Sequence, residues 1–193
     1  LTVVAPTLNF SVSSYSSTFA VAPDGTFWLT DSSDFSVHHF GTDGNEIGVI
    51  PGDPENPAYV SKIDFGPDGN LYLLDGAINP EDEYTTDARI RAFDAAGTQL
   101  KEFILSGRDI GTPTAFSISP DGTIYVIGYS GILTSDLDGN LVTVPAILRP
   151  DIPKQIEFAP DGSLILSFES TDYSTDTPVT YRSVVKYGLD GVA

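Results

Sequence analysis

Large apolar residues alternate with small or polar ones in four short runs: Phe19-Ala-Val-Ala, Ile63-Asp-Phe-Gly, Phe116-Ser-Ile-Ser and Ile156-Glu-Phe-Ala. A period of two marks a strand. Each run leads directly into Pro-Asp-Gly, at Pro23, Pro67, Pro120 and Pro160. Proline presets φ for a turn, and glycine accepts the positive φ that completes it. After each glycine, apolar residues occupy successive positions: Phe27-Trp-Leu, Leu71-Tyr-Leu, Ile124-Tyr-Val and Leu164-Ile-Leu. That pattern fits a strand covered on both faces. A third strand is expected over Val37 to Phe40, Ile90 to Phe93, Ile132 to Ser135 and Val184 to Tyr187. It runs into a second turn at Asp43-Gly44, Ala96-Gly97, Asp138-Gly139 and Asp190-Gly191. A fourth strand follows in three cases, over Glu46 to Ile50, Gln99 to Leu105 and Asn140 to Val144. No segment carries a helical period, and Pro and Gly recur too often for long helices.

The unit is a four-stranded meander that recurs along the chain, with turns spaced in the range that signals repeat architectures. A sheet apolar on both faces cannot stand alone, so the repeats must stack face to face around an axis. The expected fold is an all-β propeller of four four-stranded blades in a single domain, residues 1–193. The blades fall at about 18–50, 60–105, 114–148 and 155–193. The last lacks its fourth strand. Leu1-Thr-Val-Val closely resembles Leu141-Val-Thr-Val, so residues 1–4 are expected to complete that blade, within one chain or in a neighbouring one.

Ser117-Ile-Ser-Pro-Asp-Gly-Thr-Ile-Tyr-Val, Ile63-Asp-Phe-Gly-Pro-Asp-Gly-Asn-Leu-Tyr-Leu-Leu-Asp and Arg89-Ile-Arg-Ala-Phe-Asp resemble NHL-type propeller repeats. The resemblance covers all four repeats, from about Thr18 onward. NHL-type propellers usually have six blades, whereas four repeats are present here. Six-bladed propellers of similar appearance include metal-dependent lactonases. Their Glu, Asn and Asp ligands find no matching positions in this sequence. Other NHL-type domains bind RNA through a basic face.

Charge bears on that last possibility. Asp and Glu total 27 against 9 Lys and Arg, giving a formal charge of −18, and 20 of the acids are Asp. Such a surface repels phosphate backbones, so nucleic acid is excluded as the expected partner. No apolar run approaches the ~20 residues of a membrane helix, so membrane insertion is not expected. There is no Cys, which removes disulfides, thiolate metal sites and Cys nucleophiles. There is no Met, even at position 1, which suggests a processed product or an excerpt of a longer chain, and an extracellular or cell-surface location. Asn9-Phe-Ser fits the N-glycosylation pattern.

Chemistry could sit in two places. The segments Asp75 to Ala88 and Glu169 to Arg182 read as enlarged loops between second and third strands of the second and fourth repeats. Glu81, Asp82, Glu83 and Tyr84 in one, and Asp172, Tyr173, Asp176 and Tyr181 in the other, form an expected binding face. The innermost strands place Ala20, Asp64, Ser117 and Glu157 at equivalent positions. Asp64 and Glu157 could then meet at the central channel, holding a metal ion or working as an acid/base pair. Asp136-Leu-Asp-Gly has the look of a Ca²⁺ loop but supplies only two carboxylates, so a hairpin turn is the simpler reading. His38 and His39 are adjacent on a strand and point to opposite faces, so they cannot chelate one ion together. Trp28 reads as core between blades. No contiguous nucleophile or phosphate-binding motif occurs.

Taken together, these features favour a non-enzymatic extracellular module for binding or assembly, self-assembling through terminal strand exchange in its most specific form. Its expected partners are a protein or carbohydrate ligand, or copies of itself. No cofactor is required, with Ca²⁺ the candidate ion. The alternative is a metal-dependent, lactonase-like hydrolase with its carboxylates at the central channel.

Overall fold

The computed structural model describes residues 18–52, 60–79, 82–105, 110, 112–129, 131–143, 152–159, 161–172, 174 and 177–188; within 77–87 and at 152 only the backbone is described. These residues form an all-β propeller of four antiparallel sheets. Blade 1 contains β1 (Phe19–Val21), β2 (Phe27–Thr30), β3 (Val37–Phe40) and β4 (Glu46–Ile50). Blade 2 contains β5 (Lys62–Phe65), β6 (Leu71–Asn79), β7 (Asp82–Phe93) and β8 (Gln99–Leu105). Blade 3 contains β9 (Pro113–Ile118), β10 (Ile124–Gly128) and β11 (Gly131–Ser135). Blade 4 contains β12 (Ile152–Phe158), β13 (Leu164–Asp172) and β14 (Val179–Tyr187). Each sheet is a meander in chain order.

The turns explain why the meander forms. At the first Pro-Asp-Gly, Gly25 takes φ +86° and its N–H donates to Ala22 O at 2.9 Å. The Asp24 carboxylate accepts from Thr26 N at 2.9 Å and Thr26 Oγ1 at 2.7 Å. Asp68, Asp121 and Asp161 turn back on residues 70, 123 and 163 in the same way. Much of the chain's acidity is therefore local turn chemistry. Asp136 belongs to this group: Oδ1 accepts from Asp138 N and Asn140 N, both at 2.9 Å. The Asp136-to-Gly139 segment is a hairpin turn, with Asp138 paired to Lys101 at 2.6 Å.

Three cores join consecutive blades. Trp28, Val37 and Ile50 of blade 1 meet Ile63, Leu71, Leu73 and Phe93 of blade 2. Tyr72, Leu74, Ile90 and Leu105 meet Phe116, Ile124 and Val126 of blade 3. Ala115 and Ile127 meet Ile156, Leu164, Leu166 and Phe168 of blade 4. Among the described residues no core joins blade 4 to blade 1. Phe19 and Val21, on the outward face of β1, are 67% and 60% exposed. Their equivalents in blades 2 to 4 lie within or against an inter-blade core. Full burial of the second strand consequently holds in β6 over Leu71 to Leu74, whereas β2 and β13 alternate.

Two expected details differ. Over Asn140 to Thr143, the described part of the strand expected to reach Val144, the pairing is a single bridge, Ser135 to Leu141. The Thr134 hydroxyl donates to Val142 O at 2.6 Å, and Val142 N donates to Thr134 O at 3.0 Å. A side chain thus competes for the carbonyl that would extend the ladder. The enlarged loops of blades 2 and 4 are instead β-ribbons. β6 and β7 stay paired out to Ile78 and Thr86, and β13 and β14 out to Asp172 and Val179. The proposed closing strand, residues 1–4, lies outside the described residues.

Candidate functional site

The innermost strands β1, β5, β9 and β12 each offer one residue flanked by two large apolar ones: Ala20, Asp64, Ser117 and Glu157. In blades 2 to 4 the flanking residues are committed to inter-blade packing, so the middle position there is free to carry chemistry. Ser117, nearly fully buried, donates from Oγ to Asp64 Oδ2 at 3.2 Å. Phe65 N donates to Asp64 Oδ1 at 2.9 Å. Asp64 is half-buried, and burial pushes its carboxyl above the ordinary value of 3.8. Lys62 and these hydrogen bonds pull the other way, while Glu157 adds to the rise.

Lys62 connects the group across the channel. Its ammonium reaches from blade 2 to blade 4, donating to Ile156 O at 3.0 Å and forming a very short ion pair with Glu157. Asp64 and Glu157 are near enough for the Glu157 charge to act on Asp64, and Lys62 lies with them. Sequence reasoning missed Lys62. Its only advance signal was a basic residue two positions before Asp64 in a chain with nine Lys and Arg.

The expected binding face is a separate feature. Asp64 pairs with Tyr72, and the blade 2 ribbon ends seven residues further along β6 at Asn79. At ~3.3 Å per residue that is roughly 20 Å away, at the opposite end of the blade. Asp82, Glu83 and Tyr84 belong to β7 by their backbone. Asp172 ends β13 and accepts from Ser174 N at 2.8 Å. Tyr181 is exposed on β14, beside Arg182, which pairs with Glu169 at 2.9 Å. Glu81, Tyr173, Asp176 and Asn9 lie outside the described residues.

A second constellation occurs on blade 1. Ligand atoms of Asp31, Asp34 and His38 lie within 4.8 Å of one another. The loop that brings them together places Phe35 at φ +63° and packs on Gly52, where a Cβ would sit 2.3 Å from Asp34 O. Both imidazole nitrogens of His38 are engaged, Nδ1 with Glu46 Oε2 at 2.7 Å and Nε2 with Ser36 Oγ at 2.8 Å. The neighbouring His39 points to the other face, stacking on Trp28 with ring centroids 3.9 Å apart. One imidazole and two carboxylates suit a divalent ion in donor type, with Glu46 orienting the ring from behind. The set lies on β3 and the loop between β2 and β3, outward from channel strand β1.

The resemblance to metal-dependent lactonases makes the same question relevant at the channel, and there the fit fails. Glu157 and Ile156 O are engaged by an ammonium, and Asp64 by Ser117 and Phe65 N. Ca²⁺ takes six to eight oxygens, with several carboxylates and carbonyls from the protein and water for the rest. One carboxylate held by Lys62 and another held by Ser117 and Phe65 N do not provide them.

Several solved structures share this fold. A gluconolactonase from Xanthomonas campestris superposes with a TM-score of 0.64 at 15% identity, over 95% of this chain and 62% of that one. A putative gluconolactonase gives 0.61 at 16% identity, over 90% of this chain and 60% of its own length. A catalytically inactive virginiamycin B lyase from Staphylococcus aureus, with quinupristin, gives 0.57 at 14% identity, over 89% and 56%. This chain thus spans about three fifths of the length of the structures it matches. No family model and no curated protein matches the sequence. The class established is therefore the propeller, without the narrower NHL-type assignment.

These neighbours correct the expectation of a non-enzymatic module for binding or assembly. Structures that share this fold include one described as a gluconolactonase and one as a putative gluconolactonase, which favours the lactonase-like alternative over the binding module. The expectation rested on the missing linear motif. In a propeller the channel groups come one per blade, so a contiguous motif is not how such a site is written.

Proposed function

We propose that the protein is a lactonase-like hydrolase that opens a small cyclic ester at the central channel. The observation that carries this reading is the half-buried Asp64 carboxyl, held against Ser117 and beside the Lys62–Glu157 pair. A water molecule attacking the lactone carbonyl gives its proton to Asp64. The Lys62 ammonium stabilises the negative charge that develops on the carbonyl oxygen. As the ring C–O bond breaks, Asp64 returns the proton to the departing ring oxygen. The net change is one water added and one hydroxy acid formed. A carboxyl raised above 3.8 is better matched to this double role than an exposed Asp. Ser117 positions Asp64 through its hydrogen bond.

The test is acid release from five- and six-membered aldonolactones, followed in a pH-stat. Wild-type protein should exceed the buffer rate, and Asp64→Asn should lose about 10²- to 10⁴-fold, the usual share of a general acid–base group. Activity should rise as pH climbs through the Asp64 pKa, because the ionised form accepts the proton. Hydrolysis no faster than buffer, or an Asp64→Asn variant as active as wild type, would refute the assignment.

A further inference from the structure

We propose that Lys62 occupies the cation position of the channel, so that Asp64 and Glu157 serve a built-in ammonium instead of a divalent ion. The inference rests on the hydrolase reading above and specifies its electrophile. Lys62 sits on the inner strand of blade 2, whereas Glu157 and Ile156 belong to the inner strand of blade 4. The side chain therefore crosses the channel to reach both, donating to Ile156 O at 3.0 Å and to the Glu157 carboxylate. Two of its three N–H groups are thereby used, which leaves one for a substrate oxygen.

Charge and ligand count support the same reading. The equivalent positions on blades 1 and 3 are Ala20 and Ser117, so among the described residues these four inner-strand positions hold two carboxylates. One ammonium among two carboxylates leaves a single negative charge. A divalent ion added beside Lys62 would stand next to another cation in a partly buried site, where like charges repel far more strongly than in water. The ion would also have to displace the ammonium from Glu157 and Ile156 O to gain its oxygens. An ammonium polarises a carbonyl as a point charge with directional N–H groups, which suits an uncharged lactone. It also leaves a carboxylate product paired to the same lysine until release.

Calorimetric titration with Ca²⁺, Mn²⁺ and Zn²⁺ tests the proposal on metal-free wild type, Glu157→Gln and Lys62→Met. Wild type and Glu157→Gln should give the same isotherms, because any ion they share is held elsewhere, Asp31, Asp34 and His38 being the candidates. Lys62→Met should gain a site at least about tenfold tighter, the scale expected when a like-charged neighbour is removed. The Lys62→Met/Glu157→Gln double variant should lose it again. A wild-type site that Glu157→Gln abolishes would overturn the proposal, as would a folded Lys62→Met that gains nothing. Glu157 is exposed, so its substitution leaves the fold intact and the first comparison decides even if Lys62→Met fails to fold. Lactone hydrolysis is measured in parallel. Isotherms as expected without hydrolysis would refute the hydrolase reading alone.

Discussion

Asp75 is the sharpest point at which to test how the propeller is held together. Its side chain is fully buried between Arg89 and Arg91, themselves nearly so. Arg89 Nε and Nη2 donate to the two carboxylate oxygens at 2.5 and 3.1 Å. Arg91 donates from Nε at 2.9 Å, with Nη2 2.6 Å from the same oxygen. Asp75 and Arg89 are direct cross-strand partners on β6 and β7, and Arg91 is the next residue of β7 on that face. Asp75→Ala removes the carboxylate to which both buried guanidinium groups donate. Breaking a buried pair in this way costs about 3–5 kcal/mol, a large part of the ~5–15 kcal/mol that holds a domain folded. With a urea slope of ~2 kcal/mol per M, the unfolding midpoint should fall by roughly 1.5–2.5 M. Trp28, the only tryptophan, lies in the blade 1–blade 2 core and reports the transition by fluorescence. Arg91→Met provides the contrast: it leaves a neutral, bidentate Asp75–Arg89 pair and gives up a cation–π contact with Phe93 at 5.7 Å, worth about 0.5–1 kcal/mol. It should therefore cost much less. An Asp75→Ala variant that loses under ~1 kcal/mol, or an Arg91→Met variant that loses as much as Asp75→Ala, would show that charge balance in this pocket is not what stabilises it.

Three further outcomes follow from the same coordinates. Ile63→Ala, within the blade 1–blade 2 core, should cost about 2–5 kcal/mol in urea unfolding, whereas Phe19→Ala at the equivalent exposed position should stay within ~0.5 kcal/mol; equal losses would mean that the outward face of β1 is covered in solution. Burial lowers the His39 pKa from 6.5, against the pull of Asp24, so the folded state takes up its proton later than the unfolded chain. The stability this contributes is complete above about pH 6.5 and is lost as pH falls through the folded value, and His39→Gln should flatten that part of a stability–pH profile; an unchanged profile would refute it. Gly128→Ala would place a Cβ 2.4 Å from Ile110 O and 2.9 Å from Thr112 O, both backbone atoms that cannot swing aside, and should cost about 1–3 kcal/mol; a midpoint equal to wild type would contradict this packing.

The repeats, turns and inner strands are legible in the sequence because each is written locally. Pro-Asp-Gly specifies its own hairpin within four residues, and two-residue alternation specifies which side chains share a face. The ribbons of blades 2 and 4 are not legible for the complementary reason. Ala77 finds Asp87 and Ile78 finds Thr86 only across the strand pair. The intervening Asn-Pro-Glu-Asp run reads as a loop taken alone. Lys62 is hidden for a stronger form of the same cause, since its partners belong to a blade 94 and 95 residues away. The Asp31, Asp34 and His38 cluster depends on a left-handed Phe35, a conformation that sequence gives no reason to expect of a phenylalanine.

The inner strands also explain how such a scaffold can acquire chemistry without loss of stability. At Phe19-Ala20-Val21, Ile63-Asp64-Phe65, Phe116-Ser117-Ile118 and Ile156-Glu157-Phe158, the two outer residues of each triplet are the apolar ones. In blades 2 to 4 those residues pack between blades, and the middle residue adds little to any core. A carboxylate, hydroxyl or methyl group can therefore be exchanged there without opening a cavity. Asp64→Asn makes this separable by experiment. A carboxyl whose folded pKa lies above 3.8 adds stability below that pH and loses it as pH rises through the folded value. Asp64→Asn removes the ionised form that burial disfavours, so near pH 7 it should be at least as stable as wild type while hydrolysis falls. The stability difference should shrink as pH falls through the raised Asp64 pKa, where the wild-type carboxyl becomes neutral. A variant that loses stability and activity together at pH 7 would place Asp64 in the framework of the fold and not in its chemistry.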